Sequence, residues 1–100
     1  MTVGNSHLDE AGFMSQVIQL ARVTGWLVYH TRNSKGSDAG FPDLVLVRDG
    51  QVMFWECKRD EGKPTMAQAE WLAALGDSSI VEVGVIRPRD WFHVERELTR

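Results

Sequence analysis

Residues 43–58 read DLVLVRDGQVMFWECK, and this stretch decides the fold. Two runs rich in β-branched and large apolar residues, 43–48 and 51–58, lie on either side of Asp49 and Gly50. An Asp-Gly pair between such runs is a strong signal for a hairpin with a two-residue turn. We therefore predict two neighbouring antiparallel strands at this place in the chain.

The register of this hairpin places two carboxylates together. With a two-residue turn between residues 48 and 51, Asp43 lies opposite Glu56. Lys58 points to the same face as Glu56, because side chains alternate along a strand. Directly opposite residues have Cβ atoms about 4.5–5.5 Å apart, and like charges in such a pair are destabilising. A divalent cation would compensate the repulsion, and oxygen ligands suit Mg²⁺ or Mn²⁺.

Elements on both sides of the hairpin complete the domain. Apolar residues at helical spacing predict helices, and runs rich in β-formers predict strands. The order α-β-β-β-α-β-α indicates one α/β (α+β, mixed-sheet) domain with three layers. The hairpin face opposite Asp43 and Glu56 is apolar and is expected to pack on a helix layer. Cys57 belongs to this face and is therefore expected to be a core residue rather than a nucleophile. The residues of the apolar face are Leu44, Leu46, Met53, Trp55 and Cys57. Besides the hairpin strands, the predicted elements are a helix over 8–24, a strand over 26–31, a polar loop over 32–42, a helix over 65–75, a strand over 80–86 and a helix over 90–98.

Composition restricts the class of protein. The chain has 100 residues, 43% hydrophobic and 25% charged, which fits one globular domain over residues 1–100 with a loose start at 1–7. Cys57 is the single cysteine, so an intrachain disulfide is excluded and a reducing, cytoplasmic environment is expected. No apolar run approaches the ~18–20 residues of a membrane helix, so no membrane association is expected.

The net charge of −3 argues against a general nucleic-acid binder, but the charges are unevenly distributed. The segment between Glu10 and Asp38 contains no acidic residue, and it carries Arg22, Arg32, Lys35 and a histidine. Two bound divalent cations would change the net charge from −3 to +1. A phosphodiester substrate is therefore compatible with this composition.

The sequence also resembles a known nuclease family. Pro42-Asp43 followed by Glu56-Cys57-Lys58 resembles the PD-(D/E)XK motif. The longer context resembles the VRR-NUC branch of that superfamily, and the resemblance extends from about residue 9 to residue 98. It is carried by GFPDLVL at 40–46, WECK at 55–58, and GKPT with a glutamine three residues later at 62–68.

This resemblance implies a restriction-endonuclease-like core and metal-dependent hydrolysis of phosphodiester bonds, with Mg²⁺ or Mn²⁺ as cofactor. Asp43 and Glu56 match the two metal-binding acids, and the main-chain carbonyl of Cys57 matches the third usual ligand. Lys58 matches the lysine that orients or activates water and stabilises developing phosphate charge. A metal ion lowers the pKa of bound water and neutralises phosphate charge, so this residue set fits the chemistry.

Two further site residues have competing structural explanations. Glu10 matches a helical acid that helps to hold metal, but acids are also common in a first helical turn, where they complement the helix dipole. Gln68 matches a motif glutamine near the site and is a candidate catalytic residue. Thr65 and Gln68 also form the pattern of a capping box, and both roles are compatible.

Four basic residues are candidate DNA contacts. His30 lies on a predicted strand before the polar loop, where the alternative is an ordinary half-exposed histidine. Arg32, Lys35 and Lys63 lie in loops and could line a DNA path, although charged loops are usually only solvated.

The resemblance to stand-alone phage or bacterial members implies a Holliday-junction endonuclease that cleaves branched, four-way DNA as a homodimer. The alternatives are a flap or restriction-like nuclease, and a catalytically silent DNA-binding or protein-binding module. Surplus apolar surface on the two later helices favours dimerisation. The residues that provide this surface are Trp71, Trp91, Met66, Leu72, Leu75 and Phe92.

Overall fold

The computed structural model describes residues 9–32 and 38–100. The order of elements in these ranges is the predicted one, and the bounds differ from prediction by one or two residues. None of the described helices is long and apolar enough to span a bilayer. In chain order the elements are α1 (Glu10–Val23), β1 (Leu27–His30), β2 (Leu44–Arg48), β3 (Gln51–Cys57), α2 (Met66–Gly76), β4 (Glu82–Ile86) and α3 (Trp91–Thr99), with a 3₁₀ turn at Pro88–Asp90 before α3.

The four strands form one mixed sheet in the order β1-β2-β3-β4. Strand β2 is antiparallel to both β1 and β3, whereas β3 and β4 are parallel and are connected through α2. Leu44 pairs with Trp55, so the predicted hairpin register is confirmed. Asp49 and Gly50 have φ of 51° and 80°, the left-handed conformation that a tight two-residue hairpin turn requires.

One face of the sheet carries the hydrophobic core. Helices α1 and α3 pack against it, and the predicted apolar face of the hairpin is confirmed because all its residues are buried. The mixed sheet and three helices are compatible with the expected three-layer α+β core. The buried residues of the cluster are Phe13, Val17, Ala21, Trp26, Leu44, Leu46, Met53, Trp55, Cys57, Ile86, Trp91, Val94 and Leu98.

The opposite face is covered much less completely. Phe41 makes edge-to-face contacts with Phe54 of β3 and Trp71 of α2, with ring centroids 6.0 and 5.0 Å apart, so α2 lies on this side. None of the 11 residues of α2 is buried. On the same face, Leu27 and Tyr29 of β1 are exposed, with 75% and 62% of their surface accessible to solvent. Apolar surface thus remains open around α2.

Gly40 holds the segment before β2 against α2. Its φ is +92°, and a Cβ at this position would lie 2.4 Å from the main-chain carbon of Ala67. Only glycine therefore fits both the backbone conformation and the close approach of the helix. This contact determines where Phe41, Pro42 and Asp43 enter the sheet.

Replacement of Gly40 by alanine is expected to destabilise the protein more than replacement of Gly50. Both positions have positive φ, so each substitution costs roughly 1–2 kcal/mol of backbone strain. Gly50 has open space around it, whereas Gly40→Ala also forces α2 away, which adds roughly 1–3 kcal/mol. Chemical denaturation of both variants measures the difference in the free energy of unfolding. Equal losses would contradict the assigned role of the Gly40–Ala67 contact.

Candidate active site

Asp43 is held at the start of β2 by bonds to the end of β1 and to β3. Thr31 donates from its main-chain nitrogen to the carbonyl of Asp43 at 2.8 Å, and from its hydroxyl to the carbonyl of Pro42 at 2.8 Å. The Asp43 carboxylate accepts a hydrogen bond at 2.9 Å from the main-chain nitrogen of Cys57. The side chain of Asp43 is therefore directed across the hairpin towards the segment that follows Glu56.

Glu56 is the only buried charged residue in the described part of the chain, with 1% exposure. Both of its carboxylate oxygens are buried without a hydrogen-bond partner among the described residues. Burial and the nearby charge of Asp43 raise the pKa of Glu56 from 4.5 to about 7, and Lys58 offsets part of this shift. Phe54 lies two residues earlier on the same strand face, so the aromatic cluster with Phe41 adjoins this carboxylate.

Lys58 is the counter-charge of this pair. Its Nζ lies 3.6 Å from a carboxylate oxygen of Glu56, and its side chain is 12% exposed. The main-chain nitrogen of Lys58 donates to the carbonyl of Ile86 in β4 at 3.0 Å. The predicted placement of Lys58 on the face of Glu56 agrees with this ion pair.

Two arginines hold the loop that follows Lys58, a role that sequence patterns did not indicate. Arg87 donates to the carbonyl of Gly62 at 2.7 Å. Arg89 donates from its main chain to the carboxylate of Asp60 and from its side chain to the Asp60 carbonyl, each at 2.9 Å. Because these partners lie 25–29 residues apart, no local pattern could have identified them.

Cys57 contributes its main chain to the site, whereas its thiol lies in the core. The side chain is fully buried, and burial raises the pKa of the thiol, with further contributions from Asp43, Glu56 and Glu10. A thiol held protonated in this way is a poor nucleophile. The expectation that Cys57 is a core residue is confirmed.

Glu10 is the first residue of α1 and is half-buried. Asp9 caps the helix by accepting from the main-chain nitrogen of Gly12 at 2.7 Å. The charge of Glu10 makes the smallest contribution to the raised pKa of the Cys57 thiol. Within residues 9–32 and 38–100, however, no three His, Cys, Asp or Glu side chains are arranged to hold an ion. The structure therefore does not bring Glu10 into a cage with the two strand acids.

Gln68 makes the capping box at the start of α2. Its side chain accepts from the main-chain nitrogen of Thr65 at 2.8 Å, and its own main-chain nitrogen donates to the Thr65 hydroxyl at 3.2 Å. The structural explanation of this motif is thus confirmed. A catalytic role for Gln68 stays a prediction.

Three of the four candidate DNA contacts fall within the described residues. His30 is half-buried on β1 and pairs with Leu44, the residue after Asp43. Arg32 and Lys63 are exposed. Lys35 lies outside the residues that the structure describes.

The residues at this end of the sheet fit a divalent cation. Both carboxylate oxygens of Glu56 are buried next to Asp43 and lack a hydrogen-bond partner among the described residues. This arrangement costs free energy unless a cation or a proton compensates it. The donors are carboxylate and carbonyl oxygens, which hard cations such as Mg²⁺ and Mn²⁺ prefer.

The raised pKa of Glu56 predicts how the stability of the metal-free protein depends on pH. In EDTA the folded state keeps this proton up to about pH 7, while the unfolded chain releases it near 4.5. The free energy of unfolding of the wild type should therefore fall as the pH rises from about 4.5 to 7, by on the order of 3 kcal/mol.

Glu56→Gln should lack this decrease, because glutamine does not titrate. Denaturation of both proteins in EDTA at several pH values measures the difference between them. A difference that stays constant across this range would contradict the prediction.

A known protein family matches most of the chain. The VRR-NUC domain family matches residues 3–89, a range that includes both strand acids and the lysine. Among curated proteins no match to the chain is found.

Proposed function

The chain belongs to the VRR-NUC family of nuclease domains, and on this premise we propose that it is a metal-dependent, structure-specific DNA endonuclease. Its proposed substrate is the four-way Holliday junction, and its proposed active form is a homodimer. The observation that carries the proposal is the environment of Glu56. Its carboxylate is buried next to Asp43 without a hydrogen-bond partner among the described residues, and the Nζ of Lys58 lies 3.6 Å away.

The two acids are proposed to hold the cation together with the main-chain carbonyl of Cys57. Glu10, at the start of α1, would support this set from the helix side, directly or through water. When bound, the cation lowers the pKa of water and compensates charge on the phosphate. The pairing of Leu44 with Trp55 brings Asp43 and Glu56 to the same end of the hairpin, which supports the assignment of the first two ligands.

Lys58 is proposed to act on the reacting groups. In the metal-free protein above about pH 7, where Glu56 is ionised, Lys58 compensates its negative charge at 3.6 Å. Once the acids bind a cation, its ammonium can hold the attacking water or a non-bridging phosphate oxygen. Gln68 would act beside it from the first turn of α2.

Cleavage of labelled DNA tests this proposal. A four-way junction, a flap and a linear duplex are incubated with the protein in Mg²⁺, in Mn²⁺ and in EDTA. We expect cleavage of the junction at symmetric positions with either metal and none in EDTA. Preferred cleavage of the flap or the linear duplex would replace the substrate assignment, and no cleavage of any DNA would overturn the nuclease assignment.

Dimerisation is proposed on two grounds, which are the symmetry of the proposed substrate and the exposed surface of α2. A four-way junction needs two related cuts, which a two-fold dimer with one site per subunit provides. An apolar helix without any buried residue leaves surface available for a partner, and Met66 is 91% exposed. Trp91 does not belong to this surface, contrary to expectation, because it is buried against Phe13 in the core.

The protein is expected to sediment as a dimer at micromolar concentration. Ala73→Glu places a charge on the exposed side of α2 without removing any packing, and it should shift the protein towards monomer. Ser79→Glu adds the same charge at an exposed loop position and should leave the dimer intact. A wild-type protein that sediments as a monomer would refute dimerisation.

A further inference from the structure

A groove of about 390 Å³ lies between α1 and the edge strand β1. Its apolar part is formed by Met14 and Ile18, and its polar part by Ser15, Gln19, Arg22 and His30. Arginine, glutamine and serine side chains are among the groups that donate hydrogen bonds to the phosphate and sugar oxygens of DNA.

The groove begins next to the candidate active site. His30 pairs with Leu44, which directly follows Asp43, and the next residue, Thr31, donates to the carbonyl of Asp43 at 2.8 Å. At the helix side, Ala11 lines the groove and directly follows Glu10. Both walls of the groove thus start at residues that are next in the chain to the proposed metal-binding acids. The groove lies on the α1 face of the sheet, and the two strand acids lie at the same end of the sheet on its α2 face.

The charge in the groove favours an anionic occupant. No carboxylate lines it, and Arg22 is the only basic side chain of α1. Arg22 is exposed, and among the described residues no carboxylate pairs with it. The segments 1–8 and 33–37 contain no acidic residue that could neutralise it. An arginine without a carboxylate partner in an acid-free groove is suited to a phosphate.

We propose that this groove holds the phosphate backbone of the DNA strand that leads to Asp43 and Glu56, with Arg22 as a phosphate contact distant from the acids. The proposal rests on the proposed nuclease function. From residue 11 to residue 22 the helix rises about 16 Å. That length corresponds to four or five nucleotide steps of about 3.4 Å along one strand. Gln19 and Ser15 provide further donors along this path.

Fluorescence anisotropy with a labelled four-way junction in Ca²⁺ tests the groove independently of cleavage. Arg22→Glu should weaken binding about tenfold or more, and Gln19→Glu should weaken it because it adds a negative charge to the same groove. The logarithm of the association constant falls linearly with the logarithm of the salt concentration, and Arg22→Ala should make this slope shallower by about one. The matched control is Arg96→Glu, the same charge change at an exposed position of α3 outside the groove, which should bind within about twofold of the wild type.

The outcomes separate this inference from the proposed function. If the wild type binds and cleaves the junction but both groove variants bind like Arg96→Glu, the groove assignment is overturned and the nuclease assignment stands. If the groove variants lose affinity while the wild type binds DNA without cleaving it in Mg²⁺ or Mn²⁺, the groove stands and the nuclease assignment fails. If the wild type binds no DNA, both are overturned.

Discussion

Asp43→Asn and Glu56→Gln are each expected to reduce junction cleavage by at least about 10³-fold, even at saturating Mg²⁺ or Mn²⁺. Each substitution removes a proposed metal ligand and one negative charge, and losses of this kind cost several kcal/mol of transition-state stabilisation. Single-turnover cleavage measures the rate, and calorimetric titration of the metal measures the binding that should be lost with it.

The amide substitutions are chosen because the structure shows what truncation would disturb. Asp43 accepts a part-buried hydrogen bond from the main-chain nitrogen of Cys57, and an alanine would leave that donor without this partner. Glu56 is fully buried, so its truncation would leave a cavity. Asparagine retains the acceptor, and glutamine retains the volume.

Matched controls apply the same chemical changes elsewhere. Asp49→Asn lies in the hairpin turn, where asparagine tolerates the left-handed conformation, and Glu70→Gln lies on the exposed side of α2. Both should cleave like the wild type. Substantial activity in either site variant at saturating metal would refute the proposed ligand set.

Lys58→Ala is expected to slow cleavage by roughly 10²–10³-fold while junction affinity changes little. Loss of one electrostatic or proton-transfer group has an effect of this size on the rate. One phosphate contact among many contributes little to affinity. Metal affinity should not decrease, because a cation 3.6 Å from Glu56 has been removed.

Binding in Ca²⁺ and single-turnover rates in Mg²⁺ separate the two effects. Arg59→Ala, which removes the neighbouring exposed cation, serves as the control and should keep the wild-type rate. If Lys58→Ala weakens binding as much as it slows cleavage, Lys58 contacts DNA and the proposed catalytic role is wrong.

The hairpin shows how much the sequence alone determined. Asp-Gly between two β-rich runs requires a tight turn, and the turn sets the register of every residue on both strands. For that reason the side-by-side placement of Asp43 and Glu56, the face of Lys58 and the burial of Cys57 could be predicted from the residues alone. These properties depend on local geometry and on the two-residue period of a strand.

Other features depend on contacts between residues far apart in the chain. The burial of both Glu56 oxygens, and with it the raised pKa, depends on how strand, helix and loop pack around the carboxylate. The hydrogen bond from Arg87 to the carbonyl of Gly62 also depends on contacts between residues far apart in the chain, as does the burial of Trp91 against Phe13.

The sequence by itself therefore determined the order of elements, the register of the hairpin and the residues that meet at its end, because turn chemistry and side-chain periodicity act over a few residues. Only the tertiary structure decided how deeply Glu56 is buried, how closely α2 approaches Gly40, and that a groove without acids begins beside Asp43. Desolvation, close packing and surface shape arise from elements that the chain brings together over long separations.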